Sequence, residues 1–504
     1  MFRIFGPPGT GKTTTLLNML DKALESGVSP NSIAFLAFTR KAASEAKERA
    51  SARFHLDPDK DLFYFRTLHS LALSASGIRT EQVMGREHYK ELSDIISIPL
   101  VSGTSLDEDI VDKQATDHPI LSLINLARLC KNPLRTQYNQ TYMIYDWNTV
   151  NYVSKCYKEY KEQHELYDFT DMLQCFIDEA DVACPKFDLV FLDEAQDLSP
   201  LQWDIAHILD KNSKKMYAAG DDDQAIYRWA GADVEQFITL DGSSETLSQS
   251  YRVPRLIHRT AETIVSRISN RYPKKYEPKN EEGNVQHISR LEDIDVSSGQ
   301  WLILDQAGYI LIPVVTMLRS SGYLFTYKGH RSISAKISSA VNGWEQMRKG
   351  KSITLETVKD IYSFMSTGNR VKRGFKTMSG ADDSNLFNMK QLQDEWGLAI
   401  GDELIWREAL DRLPEESRVY ITAMLRRGEK FNAEPRITIS TIHGSKGGES
   451  ENVVIFTDLS PSADDAMSGG CLLYPSYAAD EEPGVDLACR RASQTKNNIT
   501  DRPQ

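Results

Sequence analysis

The sequence predicts an α/β fold with parallel sheets, built around a glycine-rich loop close to residue 1. Two observations lead to this prediction. Apolar runs typical of buried strands alternate with segments whose apolar residues recur at helical spacing. A glycine-rich loop also lies between the first such strand and the first such helix. The alternation is typical of parallel sheets, because each strand returns to its neighbour through a crossover helix.

The expected strands are seven apolar runs, which is enough for two sheets. They lie at residues 1–5, 33–38, 189–192, 216–219, 301–304, 437–441 and 453–457. The first expected helix covers 14–24, where Leu16, Leu17, Leu20 and Leu24 recur at helical spacing.

Composition bounds the possible functions of the chain. At 504 residues it is long enough for about three to four domains. Lys and Arg total 59 against 71 Asp and Glu, a net charge of −12, so nucleic acid would have to bind in a local basic cleft. Six scattered cysteines without a C-x2-C pair argue against zinc, iron–sulfur and disulfide sites. Without a signal peptide or a long apolar span, we expect a soluble cytoplasmic protein that makes no membrane contact.

The glycine-rich loop has the spacing of a phosphate-binding loop. Gly6-Pro7-Pro8-Gly9-Thr10-Gly11-Lys12-Thr13 fits G-x-x-x-x-G-K-[ST] between a strand and a helix. Its glycines let backbone N–H groups close around phosphates, Lys12 supplies a positive charge, and Thr13 can bind Mg²⁺. The predicted nucleotide contacts here are Gly6, Gly9, Thr10, Gly11, Lys12, Thr13 and Thr14.

An acidic pair follows a second apolar strand, at 187–194. Asp193 is a predicted Mg²⁺ ligand together with Thr13. Glu194 is predicted to orient and deprotonate an attacking water, the base role that phosphoryl transfer to water requires. Taken alone, the pair could also be a solvated acidic loop.

Two longer stretches carry a family resemblance. Asp193-Glu194-Ala195-Gln196-Asp197 and the run 220–233 closely resemble motifs II and III of the UvrD/Rep-like superfamily 1 (SF1A) DNA helicases. Further stretches similar to family motifs occur in family order at 38–43, 67–70, 167–173, 249–252 and 441–449. The resemblance implies two RecA-like P-loop NTPase domains, 1A and 2A, with helical insertions 1B and 2B. The expected bounds are 1–75 with 150–255 for 1A, 76–149 for 1B, 256–344 with 432–504 for 2A, and 345–431 for a short 2B.

The resemblance also implies roles in ATP binding and hydrolysis. Gln196 and Gln224 would sense the γ-phosphate, and Tyr251 would stack on adenine. Arg252 would contact the γ-phosphate and Glu449 a ribose hydroxyl. Arg491, in a degenerate motif VI that reads Cys489-Arg490-Arg491-Ala492, is the candidate for a second γ-phosphate arginine.

A third group of residues is expected to contact DNA. The resemblance places Thr39, Lys41, His69, Tyr227, Trp229 and His443 on the strand. Trp229 could instead be a core residue, and His69 an ordinary hydrogen-bonding residue. Lys274 and the group Arg370, Lys372, Arg373 and Lys376 are further candidates for phosphate contacts, or else belong to solvated faces.

The function that these features predict is an ATP-dependent DNA helicase or translocase that requires Mg²⁺. The resemblance implies movement 3′→5′ on single-stranded DNA with unwinding of partly duplex DNA. Two alternatives stay open: a DNA-stimulated ATPase that translocates without unwinding, and an ATP-binding DNA-binding regulator whose hydrolysis is impaired by the degenerate motif VI.

Overall fold

The computed structural model describes residues 1–37, 40–100, 118–290 and 293–459, with the backbone alone for 41 and 42. These residues form two compact units, one over Met1–His287 and one that begins at Ile288. Each unit has a sheet of mainly parallel strands. The predicted α/β class with parallel sheets is therefore confirmed, while the bounds of the four subdomains stay predictions.

The sheet of the first unit has six strands, all parallel, in the order β3-β2-β4-β5-β1-β6. They are β1 (Phe2–Phe5), β2 (Ile33–Ala37), β3 (Phe65–Thr67), β4 (Phe187–Leu192), β5 (Ser213–Gly220) and β6 (Ser244–Thr246). The predicted runs coincide with β1, β2, β4 and β5. Strands β3 and β6 were not predicted, because three residues are too few to show a period of two.

Twelve helices of the first unit lie in its described residues. They are α1 (Lys12–Glu25), α2 (Arg40–Phe54), α3 (Leu68–Ala75), α4 (Arg86–Ile96), α5 (Pro119–Leu129), α6 (Leu134–Gln140), α7 (Trp147–His164), α8 (Phe169–Asp178), α9 (Ala180–Ala183), α10 (Pro200–Lys211), α11 (Val234–Thr239) and α12 (Arg255–Val265). Alternate strand residues pack on opposite faces. Phe35 and Phe191 lie in one core with residues of α1 and α2, and Leu36 and Val190 in another with residues of α3, α8 and α10. Burial of both faces explains why these strands are almost wholly apolar.

Helices α4, α5 and α7 share a separate core of their own. A buried carboxylate joins two of them to the start of α8. Asp168 caps α8 and accepts hydrogen bonds from Arg128 of α5 at 2.7 Å and from Lys161 of α7 at 2.6 Å. Tyr157 donates a third at 2.9 Å. These cations hold the pKa of Asp168 well below its usual range, against the effect of burial, which alone would raise it.

The second unit has a five-stranded sheet in the order β13-β7-β12-β8-β9, in which only the β8–β9 pair is antiparallel. Its strands are β7 (Trp301–Asp305), β8 (Phe325–Tyr327), β9 (His330–Arg331), β12 (Ile437–Thr441) and β13 (Asn452–Ile455), and β10 (Ile353–Thr354) with β11 (Leu386–Phe387) forms a separate antiparallel pair. The predicted runs coincide with β7, β12 and β13.

Six helices complete the described residues of the second unit. They are α13 (Ile312–Ser320), α14 (Ala335–Arg348), α15 (Leu355–Ser363), α16 (Met389–Asp394), α17 (Trp406–Ala409) and α18 (Glu415–Arg427). One core contains residues of the sheet and of these helices, with Trp344 and Tyr362 fully buried in it. No helix in the described residues of either unit combines the length and the apolar content needed to cross a bilayer.

Candidate nucleotide site

The loop between β1 and α1 places a lysine side chain over a glycine. The N–H of Gly6 donates to the carbonyl oxygen of Gly220 at 2.9 Å, which ties the loop to the end of β5. A Cβ built on Gly6 would lie 1.8 Å from Lys12 Cγ, so the lysine side chain runs directly across this residue. Helix α1 begins at Lys12, after Gly11 in the left-handed region. Its N-terminal N–H groups and Lys12 together favour an anion here.

The remaining residues of the loop form a tight turn. The Thr10 hydroxyl and N–H both donate to the carbonyl oxygen of Pro7, at 2.8 and 3.1 Å. Gly9 has a φ of 71°, in the left-handed region that favours glycine. Thr14 is exposed in the first turn of α1. The predicted contacts from Gly6 to Thr14 are therefore brought together in one loop and one helical turn.

The two predicted metal ligands touch each other. Thr13 Oγ1 donates to Asp193 Oδ2 at 2.6 Å, and Asp193 directly follows β4 at the carboxyl edge of the sheet. Burial and the neighbouring charge of Glu194 raise the pKa of Asp193 to about 6. A hydroxyl and a carboxylate are oxygen ligands that Mg²⁺ accepts, and a bound cation would favour the ionised carboxylate. These residues fit the predicted ion.

The acidic neighbour of Asp193 lies beside the phosphate-loop lysine. Glu194 Oε1 is 3.3 Å from Lys12 Nζ, and Glu194 has a φ of 56°, which is uncommon for a residue with a Cβ. Burial alone would lower the pKa of Lys12, but the attraction of Glu194, Asp221 and Asp193 raises it above its usual value. Lys12 is therefore a cation at neutral pH, although its side chain is only 10% exposed.

A chain of hydrogen bonds joins the two predicted sensor glutamines. Gln196 is fully buried; its Nε2 donates to the Glu194 carboxylate, and its Oε1 accepts the N–H of Asp221 at 2.9 Å. Gln224 Nε2 donates to Asp221 Oδ2. A Cβ on Gly220 would lie 2.6 Å from Gln196 Oε1, so this close approach requires glycine. The acidic turn after β4 and the turn after β5 thus form one network.

The segment at 250–252 lies against the phosphate loop. The N–H of Tyr251 donates to the carbonyl oxygen of Gly9 at 2.9 Å, and Ser250 Oγ donates to that of Pro8 at 2.7 Å. A Cβ on Gly9 would lie 2.3 Å from Arg252 Cβ. Tyr251 and Arg252 are thus beside the loop, and the Tyr251 side chain is 76% exposed, open to stacking by a base. Ser250 was missed, because a serine before Tyr-Arg carries no signal of its own.

The predicted DNA contacts in the first unit differ in exposure. Tyr227 is buried, with 7% of its surface exposed, and Trp229 is half-buried. Their ring centroids are 6.4 Å apart with the planes at 62°. His69 is buried in α3, with its ring centroid 6.5 Å from that of Phe169. Their roles in DNA binding stay predictions.

Five further predicted residues lie outside the described residues or in the second unit. Thr39, Arg491 and the side chain of Lys41 lie outside the described residues. His443 and Glu449 follow β12 in the second unit, the first half-buried and the second exposed. Their roles remain predictions as well.

The expectation for Lys274 was wrong. Its side chain is 1% exposed and is surrounded by Asp221, Asp222 and Asp223, so it cannot follow a phosphate backbone on the surface. A lysine is almost never fully buried unless it is paired. Its partners come about fifty residues earlier in the chain, so no local sequence pattern predicts the contact.

The first unit is similar in sequence to part of a known family of proteins. The model of the UvrD/REP helicase N-terminal domain matches residues 2–244. Residues 2–244 are therefore similar to that N-terminal domain. The ATP-dependent DNA helicase PcrA of Bacillus subtilis is 27% identical over 291 residues, which cover 55% of this chain and 39% of that protein. PcrA of Staphylococcus aureus is 25% identical over 285 residues, which cover 54% and 38%.

These matches cover about two fifths of the length of the PcrA proteins. The residues that the family model matches contain the phosphate loop, the acidic pair and both predicted sensor glutamines. The segment at 250–252 and Lys274 lie beyond the residues that the family model matches. It is the structure that shows their contacts with the phosphate loop and with the turn after β5.

Proposed function

We propose that this UvrD/REP helicase-like chain is an ATP-driven, Mg²⁺-dependent DNA helicase that moves 3′→5′ on single-stranded DNA. One observation carries the proposal most directly: a continuous network runs from Lys12 through Glu194, Gln196 and Asp221 to Gln224. Through it the phosphate loop is linked to the turn after β5, three residues before Tyr227. The gain or loss of a phosphate group at the phosphate loop can therefore shift the turn that carries the predicted DNA contacts.

The side chains around the phosphate loop have separate roles in the proposed ATP hydrolysis. Lys12 neutralises the β- and γ-phosphates, and Glu194 orients the attacking water and accepts its proton. When bound, Mg²⁺ would be held by Thr13 and Asp193 and would neutralise charge on the phosphate oxygens. Gln196 holds the Glu194 carboxylate through its amide N–H, which fixes the direction of that base.

The turn after β5 supplies the DNA side of the proposal. Gln224 is held by Asp221, and Tyr227 and Trp229 follow on the same turn. Aromatic rings stack on bases without reading their sequence, and each stacked base contributes about 1–3 kcal/mol. We place His69, Thr39 and Lys41 on the same strand of DNA.

The proposed arrangement has four subdomains, with 1A and 1B followed by 2A and 2B at the bounds given above. Tyr251 and Arg252, which lie beside the phosphate loop, would contact adenine and the γ-phosphate. Glu449 and Arg491 would contribute from 2A to the nucleotide, and His443 from 2A to the DNA. Relatives named as ATP-dependent DNA helicases support this assignment.

ATP turnover with and without single-stranded DNA tests the proposal. We expect stimulation by DNA that is lost in Lys12→Ala. Lys22→Ala is a matched control, because Lys22 is an exposed lysine on the same helix, α1, and should keep full turnover. Binding of ATP without turnover would instead select the regulator whose hydrolysis is impaired.

Strand displacement then tests polarity and unwinding. We expect release of a labelled strand from a duplex with a 3′ single-stranded tail and none from a duplex with a 5′ tail. Displacement from 5′ tails alone would contradict the polarity. Turnover stimulated by DNA on either substrate without any displacement would select the translocase that does not unwind.

A further inference from the structure

A buried lysine binds three consecutive aspartates in the first unit. Lys274 Nζ lies 3.1 Å from Asp221 Oδ1, 2.6 Å from Asp222 Oδ1 and 2.7 Å from Asp223 Oδ2. Its side chain is 1% exposed. An ammonium group has three N–H donors, so each can point to one carboxylate. The turn after β5 is thus bound at three successive residues by one cation.

The neighbours of Lys274 bind the same turn. Arg271 forms a two-pronged contact with Asp223, from Nε at 2.9 Å and Nη2 at 2.6 Å. The N–H of Tyr272 donates to Asp222 Oδ2 at 2.7 Å. The Tyr272 ring stacks on Phe5, the last residue of β1, with centroids 3.8 Å apart. The segment 271–274 is therefore fixed at the strand that leads into the phosphate loop.

The position of Gln224 depends on this arrangement through a single carboxylate. Asp221 accepts Lys274 at Oδ1 and Gln224 Nε2 at Oδ2, while its N–H donates to Gln196. Without a cation, three adjacent carboxylates would repel one another and favour an open turn. Asp221 would then no longer present Oδ2 to Gln224 at the same place.

We propose that Lys274, supported by Arg271, is a positioning residue for the γ-phosphate sensor: by binding Asp221, Asp222 and Asp223 it holds Gln224 against the nucleotide site. The inference rests on the proposed function, because Gln224 is a sensor only if the site binds ATP. It adds a residue outside the sequence matched by the family model. Lys274 itself touches neither nucleotide nor DNA.

The experiment compares two nucleotides in two lysine variants. Calorimetric titration without DNA gives the affinities of AMP-PNP, a non-hydrolysable ATP analogue with a γ-phosphate, and of ADP, which lacks one. For Lys274→Met we expect AMP-PNP to lose about tenfold more affinity than ADP, equivalent to one hydrogen bond to a charged group. The matched control is Lys275→Met, the same change at the adjacent exposed lysine, which should leave both affinities unchanged.

A purely structural role for Lys274 would weaken both nucleotides alike, and equal losses therefore overturn the inference. Unchanged affinities in Lys274→Met overturn it as well. If this variant does not fold, Arg271→Met provides the test, because it keeps Lys274 and removes only the contact with Asp223. There we expect a smaller loss of about threefold that is again specific for AMP-PNP, and equal losses again refute the assignment.

Lys12→Ala separates this inference from the proposed function. If the wild-type chain binds both nucleotides and the Lys12→Ala variant binds neither, the site is established independently of Lys274. If the wild-type chain binds neither nucleotide, the proposed function is wrong and the role of Lys274 falls with it.

Discussion

Replacing Gly6 with alanine should disable ATP turnover while leaving the fold intact. The new Cβ would lie 1.8 Å from Lys12 Cγ, whereas ordinary contact begins at about 3.4 Å, so the lysine side chain must move by about 1.6 Å. A misplacement of about 1 Å at a reacting group can reduce a rate about 10²-fold. We therefore expect kcat/KM for ATP to fall by at least about 10²-fold. Gly6 lacks the positive φ of Gly9 and Gly11, so the alanine introduces no backbone strain.

Steady-state ATP hydrolysis with saturating single-stranded DNA measures the effect, and thermal unfolding checks the fold. Gly85→Ala is the matched control, because its Cβ would meet His88 Nδ1 at 3.8 Å, an ordinary contact, and its φ is −109°. We expect this control to retain wild-type turnover. A folded Gly6→Ala protein with kcat/KM within about threefold of wild type would refute the assignment of Lys12 to the phosphates, since a shift of about 1.6 Å could not leave such a contact intact.

The buried carboxylate Asp168 and the hydroxyl of Thr13 can each be tested by substitution. Asp168→Asn should lower the free energy of unfolding at pH 7, measured by urea denaturation, by about 3 kcal/mol. This is the low end for a broken buried ion pair, because Asp171 still binds Arg128 and Lys161. The control Asp178→Asn, on the exposed side of the same helix, should change it by less than about 0.5 kcal/mol, and equal effects of the two substitutions would contradict the argument. Because the pKa of Asp168 is lower in the folded state, its contribution to stability is present above the unfolded pKa of about 3.9 and is lost as the pH falls further. The stabilities of the wild-type and Asp168→Asn proteins should therefore converge progressively below about pH 4, and a constant difference down to about pH 2 would count against this. Thr13→Val should raise the Mg²⁺ concentration for half-maximal turnover about tenfold while Thr13→Ser stays near wild type, and an unchanged Mg²⁺ requirement in the valine variant would remove Thr13 from the metal site.

The elements of the fold that could be predicted are those in which a single segment contains its own signal. The apolar runs at β1, β4 and β12 predict buried parallel strands, and the loop from Gly6 to Thr13 predicts a phosphate site because spacing and chemistry occur together. The short strands β3 and β6 were missed, since they are defined by pairing with β2 and β1 rather than by their own composition.

Contacts between residues far apart in the chain could not be predicted from the sequence. Asp168 occurs in a motif, but nothing local indicates that Arg128 and Lys161 meet there, forty and seven residues away. For Lys274 the prediction was wrong rather than missing. Lysines usually lie in solvent, so Lys274 was predicted on the surface. Its burial depends on carboxylates that precede it by about fifty residues.

Lys12 and Lys274 of the first unit divide the positive charge near the proposed nucleotide site between them. Lys274 forms ion pairs with three carboxylates, whereas Lys12 forms an ion pair with Glu194 at 3.3 Å and lies in the phosphate loop. In the proposed function, the phosphates of ATP must compete with Glu194 for Lys12. When they succeed, the attraction between Lys12 and Glu194 weakens while the hydrogen bond from Gln196 remains, so Glu194 gains basicity and keeps its orientation. The arrangement thus favours an active base while phosphate occupies Lys12. The ion pair of Asp221 with Lys274 weakens the attraction of that carboxylate for Lys12, which leaves Lys12 more available to phosphate.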